Sequence, residues 1–166
     1  LDGNTDLDLD WENPQWIEAG IRYDLSEEWI VAVNLGWQEW STYSENHVSI
    51  SGGAPVVLDR NWNDTWHGGI AFSHFREDSV FSFGFSYESS PVDDKDRTVE
   101  FAVDEQYKFS AAYGWNHNEG WNFSVGATVI LSGDAEVDQI TQDERVKGEF
   151  DTNLLIIAGF TAQRRF

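Results

Sequence analysis

The chain has 166 residues and carries 30 Asp+Glu against 10 Lys+Arg, a formal charge of −20. That balance argues against nucleic-acid binding, which calls for a basic surface. The longest apolar run, Leu154 to Phe160, falls far short of the ~20 residues of a transmembrane helix, and the lack of Cys excludes disulfide scaffolds and Cys-ligated zinc. Yet 9 Trp, 11 Phe and 5 Tyr are heavy for an acidic chain of negative mean hydropathy, and they argue against disorder. With no Met, and with Leu1 opening the chain without a signal segment, the sequence is expected to be a processed product or a piece of something longer.

From the N-terminus, Leu7, Leu9 and Trp11 alternate with Asp6, Asp8 and Asp10, which predicts a short strand with a polar inward face. Ile17, Ala19, Ile21 and Tyr23 then alternate with Glu18, Gly20 and Arg22. Trp29, Val31, Val33, Leu35 and Trp37 alternate with Ile30, Ala32, Asn34, Gly36 and Gln38. The same holds for Trp66, Gly68, Ile70 and Phe72 against His67, Gly69, Ala71 and Ser73. Phe81, Phe83, Phe85 and Tyr87 stand against Ser82, Gly84, Ser86 and Glu88. Tyr107 to Trp115 places Lys108, Ser110, Ala112, Gly114 and Asn116 on its second face, and Trp121 to Leu131 and Leu154 to Phe166 continue the pattern. Period two is the mark of a strand with one apolar side. Eight strands and no helix are predicted.

Short connections (24–28, 76–79, 117–120) alternate strictly with long ones (roughly 41–61, 89–105, 132–149), as in an antiparallel meander with two unlike rims. Gly52-Gly53-Ala54-Pro55 signals a turn between Val48/Ile50 and Val56/Leu58, which predicts two strands running beyond the sheet body.

Alternation alone fits a soluble sandwich or lipocalin-like barrel, with the apolar face inside, and equally an outer-membrane barrel, with that face in lipid. The second face decides. It is mostly Gly, Ala, Ser and Asn rather than the Lys, Glu, Thr and Arg of a water-facing sheet, while the acidic residues gather in the connections. Candidate lumen-lining residues are Glu18, Arg22, Asn34, Gln38, His67, Glu88, Lys108 and Asn116. Trp29 and Trp37 share a face eight residues apart, as do Tyr107 and Trp115. At ~3.3 Å per residue and a tilt of ~40°, that spacing rises about 20 Å, close to the apolar band between two aromatic girdles. The girdle is assigned to Trp29, Trp37, Trp66, Tyr107, Trp115, Trp121 and Phe166. Phe166 ends the chain in phase with the apolar face, which resembles the C-terminal signature of outer-membrane barrels read by the barrel assembly machinery. Arg164 departs from it, standing where an aromatic or apolar residue is usual.

Several patterns resemble the outer-membrane family of long-chain fatty-acid and aromatic-hydrocarbon transporters (FadL/TodX-like). They are Trp37-Gln38-Glu39-Trp40-Ser41 at a strand end and Asp64-Thr65-Trp66 through Gly69 at a strand start. The most specific is Tyr87-Glu88-Ser89-Ser90-Pro91-Val92 followed by Arg97, Asp104, Ser110 and Gly114. The resemblance runs from about Pro14 to Phe166. It implies an all-β, antiparallel transmembrane barrel of fourteen strands, of which this chain is the C-terminal half, without the N-terminal hatch and the early strands. It also implies passive uptake of hydrophobic small molecules in a Gram-negative outer membrane, beside lipopolysaccharide, with no cofactor and no covalent chemistry. No ligand residue carries over. Inward Gly36, Gly69, Ala71, Gly84, Ala112, Gly114 and Gly126 either leave room for a hatch or ease strand curvature.

No catalytic constellation is legible. His47, His67, His74 and His117 are scattered, and Asp93, Asp94 and Asp96 form no EF-hand loop, so no metal site is expected, although the acidic rims are candidates for divalent cations. Two other readings stay open: a complete eight-stranded outer-membrane barrel with a structural or adhesive role, and a soluble acidic β-sandwich that binds carbohydrate.

Overall fold

A computed structural model describes residues 7–9, 13–50, 56–99, 101–117, 120–141, 144–151 and 153–164. The strands are β1 (Leu7–Leu9), β2 (Trp16–Asp24), β3 (Trp29–Gln38), β4 (Glu45–Ile50), β5 (Val56–Asp59), β6 (Thr65–Arg76) and β7 (Ser79–Glu88). There follow β8 (Gln106–His117), β9 (Trp121–Ser132), β10 (Val137–Thr141), β11 (Glu144–Gly148) and β12 (Leu154–Arg164). A 3-10 turn at Trp40–Tyr43 follows β3.

Seven strands form one antiparallel meander in the order β2-β3-β6-β7-β8-β9-β12. The register puts the alternating sets in continuous rows. Arg22, Ala32, Ala71, Gly84, Ser110, Thr128 and Ile157 lie side by side on one face. Ile21, Val33, Ile70, Phe85, Phe109, Val129 and Ile156 do so on the other. All seven strands line a single trough of about 770 Å³, so the sheet curls around its small-residue face.

Exposure follows the curl. In β7, Phe81, Phe83, Phe85 and Tyr87 are exposed while the intervening Ser82, Gly84, Ser86 and Glu88 are half-buried. Ile21 is 70% and Phe160 64% exposed. A continuous apolar surface of this extent is not stable against water. The sheet is inside out relative to a soluble sandwich, and the carbohydrate-binding sandwich reading falls with it.

Two expectations are corrected. Leu7–Leu9 is a strand, but it pairs with β4 and not with the sheet body, so the body has seven strands and β1 forms no part of its inward face. Asp6, Asp10 and Trp11 lie outside the described residues. The two strands expected beyond the sheet body are present as the antiparallel pair β4 and β5, but they do not prolong β3 and β6. The 3-10 turn after β3 redirects the chain, and β1-β4-β5 form a separate small sheet. Among the described residues β2 and β12 do not pair with each other, so the closed eight-stranded barrel is not what forms.

The tight turns are built locally. Between β2 and β3, Ser26 Oγ accepts hydrogen bonds from the N–H groups of Glu28 (3.2 Å) and Trp29 (3.1 Å). Gly120, before β9, has φ 79°, a conformation that glycine adopts without strain.

Apart from Thr65 at the start of β6, the best-buried side chains sit in the long connections and not in the seven-stranded sheet. Connection 89–105 wraps around Arg97, which is 1% exposed. Its guanidinium donates to the carbonyls of Val103 (2.8 Å), Val92 (3.2 Å) and Glu136, and to Asp94 Oδ1 (2.7 Å) and Ser90 Oγ (3.4 Å). It also pairs with the buried Asp104 carboxylate at 3.0 Å. Asp104 in turn accepts from the N–H groups of Glu105 (2.9 Å) and Ala135 (3.0 Å). A Cβ on Gly133 would come within 2.5 Å of Asp104 Oδ2, so only glycine lets the two connections close this far. Val92, Ala135 and Val137 pack here, all under 5% exposed.

Candidate functional site

The trough is the candidate site. Its wall is built from small side chains because the inward positions of the middle strands are Gly, Ala, Ser and Thr. Gly20, Gly69 and Ser86 form one level, and Ala32, Ala71, Gly84, Ser110 and Thr128 the next. Hydroxyls pair across strands, Ser73 with Ser82 at 2.8 Å and Ser110 with Thr128 at 2.9 Å, so the wall presents few unpaired donors to a solute.

All eight predicted lumen residues share the inward face by register. Glu18, Arg22 and Asn34 line the trough, and Asn34 Nδ2 donates to Glu18 Oε1 at 3.0 Å. Gln38, His67, Glu88 and Lys108 stand toward the long-connection end. Gln38 accepts from Trp40 Nε1 at 2.9 Å, and Lys108 Nζ meets Glu88 Oε2 at 2.6 Å with both side chains largely covered. His67 faces Glu88 across the strand pair and lies over Gly36, whose added Cβ would overlap the imidazole. Asn116 belongs elsewhere. It lines a second cavity of about 410 Å³ at the short-turn end, with Asp78 and Asn122. The arrangement offers paired charges and small polar groups around open volume.

The outer face carries aromatics at both rims. At the long-connection rim Trp37 stands directly opposite Trp66, and Tyr87 meets Tyr107 at 5.2 Å. At the short-turn rim Trp29 stacks on His74 at 4.5 Å. Trp115 and Trp121 both stack on Phe123, at 5.5 and 5.8 Å. Arg164 lies over the Trp121 ring at 5.6 Å, so the residue that departed from the expected C-terminal pattern is accommodated as a cation on an aromatic face. Phe166 lies outside the described residues.

Sequence reasoning gave Arg97 and Asp104 only as marks of a resemblance and assigned them no role. The available signal was a lone Arg closing the acidic run Asp93-Asp94-Lys95-Asp96. Those acids are largely engaged: Asp94 with Arg97, and Asp96 with Asn61 Nδ2 at 3.0 Å and Lys95 at 3.6 Å.

A family model described as outer membrane protein transport protein (OMPP1/FadL/TodX) matches residues 2–166. A crystal structure of a Pseudomonas aeruginosa FadL homologue is similar with a TM-score of 0.75 at 13% identity, over 90% of this chain and 34% of that one. The likeness is one of fold, and the chain spans about one third of that protein's length. No curated protein matches.

Proposed function

Because this chain belongs to the OMPP1/FadL/TodX family of outer membrane transport proteins, we propose that it is the C-terminal portion of a barrel that takes up hydrophobic small molecules passively, long-chain fatty acids or aromatic hydrocarbons. The hatch and early strands would belong to the remainder of that barrel, and the protein would reside in the outer membrane of a Gram-negative cell. One observation carries the reading: the apolar face points away from the trough, and the trough wall is small and internally paired. Such a wall passes or cradles an apolar solute without demanding that its own donors be satisfied.

In this reading Glu18, Arg22, Asn34, Gln38, His67, Glu88 and Lys108 line the lumen, and Asn116 lines its inner end. Trp29, Trp37, Trp66, Tyr107, Trp115, Trp121 and Phe166 seat the barrel at the two lipid interfaces, the outer one rich in lipopolysaccharide. Phe166 is also the residue offered to the barrel assembly machinery. No step requires a cofactor or a catalytic residue.

The test is uptake by cells that lack their own hydrophobic-solute channel and express the full-length protein. Labelled oleate or toluene should enter several-fold faster than in the empty strain, with a hydrophilic sugar unchanged. Faster sugar entry without faster oleate or toluene entry would make the protein a general pore and overturn the reading.

A further inference from the structure

The three long connections are bonded to one another. Connection 39–64 reaches 89–105 through the Asn63 N–H on the Pro91 carbonyl (2.6 Å), Asn61 on Asp96, and the Trp62 ring against Phe101 at 5.2 Å. Connection 89–105 reaches 133–153 through Arg97 on the Glu136 carbonyl and the Ala135 N–H on Asp104. The Gly133 N–H on the Glu105 carbonyl (2.9 Å) and the Asp138 N–H on the Asp94 carbonyl (3.1 Å) add to it. Three of these seven links end on Arg97 or on a residue that it holds, namely Glu136, Asp104 and Asp94, and three more end on Pro91, Asp96 and Glu105, the sequence neighbours of Val92, Arg97 and Asp104. Ala135 is held in the left-handed region at φ 44°, a conformation that its bond to Asp104 helps to maintain.

We propose that Arg97 is a positioning residue that fuses the three connections into one cooperative crown, so that they open together or stay closed together. A planar guanidinium with five donors in fixed directions can join several acceptors that converge from different segments. An ammonium cannot hold the same set. Segments tied through a shared buried charge lose their bonds in concert, and segments tied by separate surface contacts fray one by one.

The experiment is hydrogen exchange on the full-length protein in detergent micelles, corrected for intrinsic rates. In the unaltered protein the amides of Asn63, Ala135 and Asp138, which lie in two different connections flanking 89–105, should share one protection factor to within about threefold. Arg97→Lys keeps the charge and should speed all three by at least tenfold while the amides of Ser82 to Phe85 in β7 keep their rates. Acceleration confined to 89–105, or no acceleration, overturns the proposal. If Arg97→Lys does not assemble, Ser90→Ala removes a single acceptor from the guanidinium and carries the same test. A smaller but concerted acceleration at Asn63, Ala135 and Asp138 supports it, and an effect limited to residues beside Ser90 overturns it.

Discussion

Phe85 stands in the middle of the outward face, between Ile70 and Phe109, and is 38% exposed. In lipid it has an apolar solvent. An arginine at the middle of a lipid-facing band costs about 2–4 kcal/mol in barrels. Phe85→Arg in the full-length protein should therefore lower unfolding stability in vesicles by that amount, whereas Phe85→Leu should cost under about 1.5 kcal/mol. Guanidinium titration followed by Trp fluorescence reads both, and equal effects would place Phe85 in water. His67 and Gly36 give a second residue-scale test. Because the imidazole covers Gly36, Gly36→Ala must push it aside. Each single change should cost stability, and the double change Gly36→Ala with His67→Ala should recover about 1 kcal/mol relative to the sum, as contacting residues do in double-mutant cycles.

At the scale of the element, the crown responds to pH through two adjacent carboxyls with opposite shifts. Burial opposes ionisation of Asp104, but hydrogen bonds from the Glu105 side chain and backbone and from Ala135, with the Arg97 charge, outweigh it and hold Asp104 below the ordinary value. Glu105 is raised by the hydrogen bond it shares with Asp104, then by burial and by repulsion from Asp104 and Asp134. A depressed carboxyl contributes stability that is present above its unfolded pKa and is lost as pH falls through the folded value. A raised one contributes stability that is present below its unfolded pKa and is lost as pH rises through the folded value. Crown protection, read by hydrogen exchange, should therefore peak between the two folded pKa values and fall on both sides. Glu105→Gln should flatten the alkaline side, since the amide still donates to Asp104 without titrating.

The crown is also where reading the sequence stopped short. The body strands β2, β3, β6, β7, β8, β9 and β12 were legible because each alternates over nine or more residues and period two needs no partner to be seen. The inward placement of Glu18, Arg22, Asn34 and Lys108 followed from the same phase. What joined Leu7–Leu9 to β4 was a pairing choice made outside the body, and alternation over three residues says nothing of the partner. Nor does any local pattern reveal that Arg97 is buried, because half of its acceptors are backbone carbonyls and the six come from two connections.

For the whole molecule, an outward apolar face and a charge concentrated in the connections predict a protein that keeps its fold only in amphiphile. The full-length protein extracted into detergent should migrate faster on a gel unheated than boiled, and should precipitate when detergent is dialysed away. A chain that stayed monomeric without detergent would contradict the outward face. Among the described residues β2 and β12 each pair with one strand only, so each leaves one edge without a strand partner, and both faces of both strands are exposed. In hydrocarbon such an edge is intolerable, and in water it is a template for another strand. Taken out of its membrane and away from whatever strands flank it, the isolated segment would be a seed for sheet growth: Ile17 and Ile21 along one border, Ile156 and Phe160 along the other, would recruit further copies edge to edge into fibrils.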